Sequence, residues 1–257
     1  MVEQTQIDDS QARASKGDWQ PFVCARAWPN EEIWEQFEQW EPQHVADLVQ
    51  GPGVVKGAYY HNVTESLPEV YMGSGVCMAY YTALDLDGLF SFLSSKQFAD
   101  AVDEGSKWFG KFNSVDFEEI TGNIYSVTKV YGAHQRVDTP DDAPVLLWQR
   151  FEVPDELLRD FDEWQHVHAA QLAELPGVFR VRTFEAVREG CPLPYYYSRG
   201  NRMIGLEAES VESLLSPVAL NSMRASLDWD LRLHYVKRDV YRHQYHHFST
   251  HGGMITK

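Results

Sequence analysis

Two segments of the chain are related to each other, and this internal repeat restricts the possible folds more than any other feature. Residues 26–54 read RAWPNEEIWEQFEQWEPQHVADLVQGPGV, and residues 150–178 read RFEVPDELLRDFDEWQHVHAAQLAELPGV. At a constant offset of 124, ten of these 29 positions are identical, whereas unrelated segments would share about two. The identical pairs are Arg26/Arg150, Glu32/Glu156, Phe37/Phe161, Trp40/Trp164, His44/His168, Ala46/Ala170, Leu48/Leu172, Pro52/Pro176, Gly53/Gly177 and Val54/Val178. A period this long indicates a duplicated domain rather than a solenoid.

Each copy predicts the same order of strands and helices. A short apolar strand comes first. A helix follows, because aromatic and apolar residues recur at helical spacing, at positions 37, 40, 44 and 48 and again at 161, 164, 168 and 172. A Pro-Gly turn ends that helix, and two strands, a second helix (about 87–104 or 211–228) and a last strand complete the copy. The pattern predicts an α+β fold of two tandem βαββαβ ferredoxin-like units. Pro42 predicts a kink or a restart in the first helix.

The composition of the segment between the two copies predicts the unit boundaries. Residues 132–144 read GAHQRVDTPDDAP, and this Asp- and Pro-rich stretch is typical of a linker. We therefore predict a flexible leader at 1–20, a first unit at 21–131, a linker at 132–144, a second unit at 145–248 and a tail at 249–257.

Charge and hydropathy restrict the partners. A net charge of −16 predicts no nucleic-acid partner and no anionic membrane, because like charges would repel. No apolar run approaches the ~20 residues of a membrane span, and the polar N-terminal stretch is unlike a signal peptide. Three cysteines without a paired spacing fit a reducing compartment, so we expect a cytoplasmic protein. An aromatic content of 13% suits a pocket for a small hydrophobic or aromatic substrate.

The first helix of each copy carries a family resemblance. FEQWEPQHVADLVQGPGV and FDEWQHVHAAQLAELPGV resemble the dimeric α+β barrel superfamily, particularly its EthD-like members, which have a Trp or Tyr, a His about four residues later and a Leu-Pro-Gly turn. The resemblance implies that the two units pair their sheets into one barrel within the chain. Known members include cofactor-free monooxygenases, lactone isomerases, polyketide cyclases, lyases and, in some branches, haem proteins. It carries over only the helix histidine, to His44 and His168.

The histidine pair and the arginine pair shared by the two copies each have two possible interpretations. His44 and His168 are expected to face the sheet, either as core histidines bonded to a strand carbonyl or tyrosine, or as general acid/base groups. Arg26 and Arg150 stand at equivalent places in the first strands. Each either pairs with a carboxylate such as Glu32 or Glu156, or holds an anionic intermediate.

The last strand of copy two is rich in histidine. DVYRHQYHH (239–247) matches NIYSVTKVY (123–131), and strand alternation predicts Tyr241, His243, Tyr245 and His247 on one face. His243 stands where copy one has Val127, so we predict that copy two holds the working pocket. In a strand His243 and His247 lie ~13 Å apart, too far to share one metal ion. A zinc site of His246, His247 and His251 through a turn is the weaker alternative, and we predict no metal site. The loop CPLPYYYSRGNR (191–202) either covers the pocket with phenol donors or packs on the barrel edge.

These observations predict a cofactor-independent enzyme of the lyase, dehydratase, isomerase or cyclase type. His168 and His243 would be the acid/base pair, Tyr241 a hydrogen-bond donor, Arg150 an anion holder and His44 the copy-one counterpart of His168. The alternatives are a haem-binding barrel enzyme, a cofactor-free monooxygenase and a non-catalytic binder of aromatic ligands. The oligomeric state is open, and a homodimer is one possible state.

Overall fold

The computed structural model describes residues 20–27, 29, 31–71, 77–109, 123–132, 143–192, 199–233 and 235–251. The predicted leader, most of the predicted linker, the centre of the loop at 191–202 and the end of the tail lie outside the described residues.

Eight strands form a closed antiparallel barrel. They are β1 (Phe22–Ala27), β2 (Val54–Asn62), β3 (Cys77–Ala83), β4 (Ile124–Tyr131), β5 (Val145–Glu152), β6 (Val178–Ala186), β7 (Arg202–Ala208) and β8 (Tyr235–Phe248). The order around the barrel is β1-β3-β2-β8-β5-β7-β6-β4. Each copy therefore contributes four adjacent strands in the ferredoxin-like order, and β2–β8 and β4–β6 join the copies. The predicted α+β fold and its closure into one barrel are confirmed.

Seven helices cover the outer face of the barrel in the described part of the chain. They are α1 (Trp34–Val49), α2 (Leu86–Leu93), α3 (Lys96–Phe109), α4 (Leu158–Ala173), α5 (Val211–Leu214), α6 (Pro217–Arg224) and α7 (Leu227–Asp230). Pro42 lies inside α1, which is one continuous helix rather than two. Each predicted second helix is divided, because Ser95 and Ser216 begin new helices with side-chain bonds to the following turn. None of the helices described is long and apolar enough to cross a membrane.

Strand alternation divides the apolar side chains into three layers. The barrel interior is filled mainly by aromatic rings, among them Phe22, Tyr60, Tyr80, Trp148, Phe184 and Tyr241. The copy-one layer lies between α1–α3 and the outer face of the sheet and contains Phe37, Val45, Tyr59, Tyr81 and Phe92. The copy-two layer lies under α4–α7 and contains Phe151, Phe161, Leu172, Trp229 and Val240.

The spacing between α1 and β2 changes along the helix. A Cβ added at Gly57 would lie 2.5 Å from Cγ2 of Val49, so the C-terminal half of α1 rests directly on the strand. Two and four residues further along the same face, β2 presents the large side chains of Tyr59 and His61 to the N-terminal half of α1. The sequence of β2 thus places polar groups under one end of the helix only.

Candidate functional site

His168 lies in the copy-two layer, as predicted. Its side chain is 3% exposed, and its ring stacks on Trp164 at 4.8 Å. Burial lowers the pKa of His168 to about 4, and the positive charge of Arg238 acts in the same direction. Among the described residues, its Nε2 atom has no hydrogen-bond partner. A neutral imidazole with this pKa is a weak base at neutral pH.

His44 does not face the sheet, contrary to the prediction. It lines a groove of about 380 Å³ between α1 and α3, together with Asp47, Lys96, Asp100 and Glu104. The ring stacks on Trp40 at 4.1 Å, and the indole N–H of Trp40 donates to Glu104 at 3.0 Å. Burial lowers the pKa of His44 to about 4, against the opposing effect of Glu104 and Asp47. The two helix histidines therefore have different environments, although the sequence repeats them.

Arg150 lies inside the barrel and forms a salt bridge with Asp239. The Nη2–Oδ2 distance is 2.7 Å, and both side chains are fully buried. The carboxylate partner suggested by the sequence, Glu156, is exposed instead. Asn62 donates to the other oxygen of Asp239 at 3.0 Å. A fully buried ion pair of this kind is typical of a structural role, and Arg26, its counterpart in copy one, is buried in the barrel as well.

Tyr241 and His243 face the barrel interior. Tyr241 is fully buried beside Trp148, and burial raises the pKa of its phenol. Among the residues described, its hydroxyl has no hydrogen-bond partner. His243 packs edge-on against Tyr60 at 5.2 Å. The sheet therefore separates His243 from His168, and the predicted acid/base pair is not formed.

A β-bulge changes the face of the last residues of β8. Tyr59 pairs with Tyr245 and the next residue, Tyr60, pairs with His243, so Gln244 is an extra residue in β8. Beyond the bulge, Tyr245 and His247 turn to the outer face of the sheet. The prediction that they share a face with Tyr241 and His243 is wrong, because simple alternation cannot include the bulge.

The residues that the fold does bring together lie in the copy-one layer. We call them the copy-one cluster: Glu38, Glu41, Tyr59, His61, Tyr245 and His247. Helix α1 supplies the two carboxyl groups, β2 supplies Tyr59 and His61, and β8 of the other copy supplies the last two. The cluster is thus assembled across the β2–β8 junction.

Glu38 holds one half of the cluster in place. Its Oε1 atom accepts a hydrogen bond from the Tyr59 hydroxyl at 2.8 Å and contacts Nε2 of His61 at 2.9 Å. The ring of Tyr59 stacks on Tyr245 at 5.1 Å, and Trp34 lies 5.5 Å from His61. The side chains of His61 and Glu38 are 28% and 31% exposed, so the cluster reaches the surface at this end.

Glu41 is the most unusual group of the cluster. It is 5% exposed, and burial, with a smaller contribution from Glu38, raises the pKa of its carboxyl to about 8. Within the described part of the chain, no hydrogen bond or ion pair reaches this carboxyl. The buried Tyr245 hydroxyl and the buried Nε2 of His247 also have no partner there. Burial raises the pKa of Tyr245, which therefore stays a neutral donor.

Two of the same positions in copy two are occupied by residues that have hydrogen-bond partners in the protein. Gln165 replaces Glu41 and donates to the carbonyl of Met203 at 3.0 Å. Thr183 replaces Tyr59 and shares a hydrogen bond of 2.8 Å with Thr128. These two positions of copy two are therefore satisfied by local hydrogen bonds, whereas the copy-one cluster contains the partnerless Tyr245 hydroxyl and His247 Nε2 among the described residues.

The described residues do not fit a haem group at either helix histidine. The copy-two layer around His168 is filled by Phe161, Trp164 and Trp229, whose rings lie 5.2–5.6 Å apart. His44 faces the acidic groove rather than an apolar slot. Within the described ranges, no three His, Cys, Asp or Glu side chains are placed to hold a metal ion.

The geometry defines a class of protein: a dimeric α+β barrel with both ferredoxin-like units in one chain and a polar cluster in one helix–sheet layer. No family model matches the chain. No curated protein matches it either.

Solved structures show the same architecture. The chain is similar to an anthrone oxidase-like protein, with a TM-score of 0.66 and 11% identity over 95% of this chain and 99% of that chain. It is similar to a provisionally assigned monooxygenase of Fusobacterium nucleatum, with a TM-score of 0.57 and 9% identity over 90% and 94% of the two chains. A provisionally assigned monooxygenase of Lactobacillus acidophilus gives 0.51 and 10% over 90% and 96%. These structures confirm the predicted fold.

Proposed function

We propose that the chain is a cofactor-independent enzyme that moves a proton on a small aromatic or hydrophobic carbonyl-type substrate, and that the copy-one cluster is its active site. The observation that carries the proposal is the position of the largely buried Glu41 carboxyl, which is 5% exposed, beside the Tyr245 hydroxyl and His247 Nε2, two buried atoms without partners among the described residues. Buried polar groups are nearly always hydrogen-bonded, so these groups are suited to hold a polar ligand. A carboxylate base beside two hydrogen-bond donors suits proton transfer next to a carbonyl, which is the chemistry of many lyases and isomerases.

Each group of the cluster has a role in this proposal. Ionised Glu41 takes a proton from a carbon next to the substrate carbonyl, and a carboxylate with a pKa of about 8 is a much stronger base than an ordinary one. The Tyr245 hydroxyl and His247 donate hydrogen bonds to the carbonyl oxygen, on which negative charge develops. The contacts of Glu38 with His61 and with Tyr59 fix the walls of the site.

A deuterium-exchange assay tests the assignment without knowledge of the natural substrate. The probe is 2-tetralone, a flat uncharged ketone with acidic C–H bonds, and exchange is followed by proton NMR in D2O. We expect catalysed exchange in the native chain and a loss of about 10²–10⁴-fold in Glu41→Gln. The variant introduces the residue that copy two has at this position.

His168→Gln is the matched control for the same assay. It changes a buried titratable group in the other layer, and we expect exchange within a few fold of the native rate. The competing proposal is catalysis by the copy-two residues His168, His243, Tyr241 and Arg150. Full activity of Glu41→Gln together with inactivity of His168→Gln would favour that assignment.

A cofactor-free monooxygenase is the second proposal. The names of the three similar structures motivate it, since one is anthrone oxidase-like and two are provisionally assigned monooxygenases. In this case the carbanion that Glu41 generates would react with dioxygen. An oxygen electrode separates the two proposals, because only the second requires one dioxygen consumed per substrate.

The homodimer stays a prediction. The barrel closes within one chain, so a second chain is not needed to complete the sheet.

A further inference from the structure

We propose that the copy-two layer contains a second binding site, in which Arg238, Gln149 and His168 hold the oxygen of a small amide or carboxylate ligand. The site lies between the sheet and helices α4 and α7, in the other copy from the copy-one cluster. The inference therefore does not depend on the proposed function.

Arg238 is the centre of this group of residues. Its side chain is fully buried. Its Nε atom donates to Oε1 of Gln149 at 3.4 Å, and Nη2 donates to Ser226 at 2.7 Å and to Asp230 at 2.6 Å. The remaining nitrogen, Nη1, has no hydrogen-bond partner among the described residues. A guanidinium group stays protonated whenever a protein is folded, so Nη1 is a buried donor that needs an acceptor.

Two more buried nitrogen atoms lie close to Arg238. Gln149 is the cross-strand neighbour of Arg238 and is fully buried. Since its amide oxygen accepts from Arg238, its Nε2 group is a second donor, and it also has no partner in the described part of the chain. His168 is 3% exposed and lies close enough to Arg238 for that charge to lower the pKa of the imidazole. Its Nε2 atom, which donates in one of the two tautomers, is without a described partner as well.

The repeat shows that copy one lacks this arrangement. Ala25 stands where copy two has Gln149, and His44, the counterpart of His168, lines the groove beside α3. Burying an amide or guanidinium N–H without an acceptor costs about 1–3 kcal/mol, a cost that an apolar side chain such as alanine avoids. An acceptor oxygen bound at this place would offset the cost.

The class of ligand follows from these donors and from the rings beside them. Carbonyl and carboxylate oxygens accept several hydrogen bonds, and guanidinium and amide N–H groups are suitable donors to them. The ring of Trp164 stacks on His168 at 4.8 Å and lies 5.6 Å from Trp229. Because aromatic rings already occupy this side of the layer, the ligand has to be small. Acetamide and acetate have the required oxygen on a planar group of this kind.

Titration of the full chain with acetamide and, separately, with acetate tests the site. The readout is the set of indole N–H signals in proton–nitrogen NMR spectra of isotope-labelled protein, with Trp164 and Trp229 assigned from their Phe variants. We expect at least one of the two molecules to shift the signal of Trp164 or Trp229 in a saturable way at millimolar concentration. The signal of Trp34, beside the copy-one cluster, should stay in place. Comparison of the two titrations shows whether the site takes an amide or a carboxylate.

Replacement of Gln149 assigns the binding to this site. Leucine has a similar volume and no donor, so Gln149→Leu should weaken binding roughly tenfold or more. Gln149→Met is a second variant with the same expectation, should the first not fold. Glu35→Gln, an exposed change on α1, is the control and should bind like the native chain.

Two results would overturn the inference. One is that neither acetamide nor acetate shifts the signals of Trp164 and Trp229, which would leave ordered water as the partner of the buried donors. The other is a saturable shift that the Gln149 variants retain in full. Tetralone exchange reports on the copy-one cluster, so either result leaves the proposed function as it stands.

Discussion

The raised pKa of Glu41 makes a prediction about stability that is independent of any substrate. The folded chain holds the Glu41 proton up to a pH of about 8, whereas the unfolded chain releases it near 4.5. Between these values the native state binds more protons than the unfolded state, so stability falls as pH rises. Below pH 4.5 Glu41 does not destabilise the folded chain, and above pH 8 its destabilising effect is complete.

The size of the effect follows from the two pKa values. At ~1.36 kcal/mol per pH unit, a shift from 4.5 to about 8 costs the folded state about 5 kcal/mol above pH 8. Glutamine has nearly the same shape and no charge, and Gln165 shows that an amide is accommodated at the equivalent place in copy two. Glu41→Gln should therefore be as stable as the native chain near pH 4.5 and more stable by up to about 5 kcal/mol above pH 8.

The assay is urea unfolding followed by tryptophan fluorescence at several pH values from 5 to 9. Subtracting the unfolding free energy of the native chain from that of Glu41→Gln cancels the contributions of the titratable groups that both chains share. Glu35→Gln, an exposed carboxylate on the same helix, is the control and should show no such trend. A pH-independent difference for Glu41→Gln would refute the reasoning, because Glu41 would then ionise as it does in water.

The remaining predictions concern the other buried groups. The pKa of His168 falls from 6.5 to about 4 on folding, so stability should decline by about 3 kcal/mol as pH drops from 6.5 to 4; urea unfolding of His168→Gln should not show this decline. Asp239→Asn should cost about 3–5 kcal/mol in urea unfolding, because it leaves the buried charge of Arg150 without its carboxylate; a loss below 1 kcal/mol would contradict the buried ion pair. Tyr245→Phe should lower the rate of tetralone exchange about 10²-fold or more without loss of unfolding free energy, because its hydroxyl serves no partner in the described protein; destabilisation with unchanged exchange would assign the hydroxyl a structural role.

The fold was predictable because the duplication is visible in the sequence as repeated residue patterns. Helical spacing around Phe37 and Phe161 and the turns at Gly53 and Gly177 recur in both copies, and two half-barrels of the same topology can pair their sheets into one barrel. The side-chain directions were less predictable. His44 lines the groove beside α3, whereas His168 at the same place of the repeat is buried in the copy-two layer.

Two features determine where the site lies, and neither can be inferred from strand alternation or from the residues that are identical in the two copies. The bulge at Gln244 moves Tyr245 and His247 to the outer face of the sheet, and a period of two cannot predict an extra residue. Residues shared by the copies, such as His168, report what both units need in order to fold. The departure from the repeat at Glu41 and Gln165 was visible in the sequence, and the difference between a carboxyl and an amide at a buried position was the signal for a site in copy one.

The pH dependence of catalysed exchange tests most directly which group moves the proton. We expect kcat/KM for 2-tetralone exchange in the native chain to rise tenfold per pH unit and to level off near pH 8, following the ionisation of Glu41. A profile that levels off near pH 4, where His168 loses its proton, would contradict the assignment of Glu41 as the base.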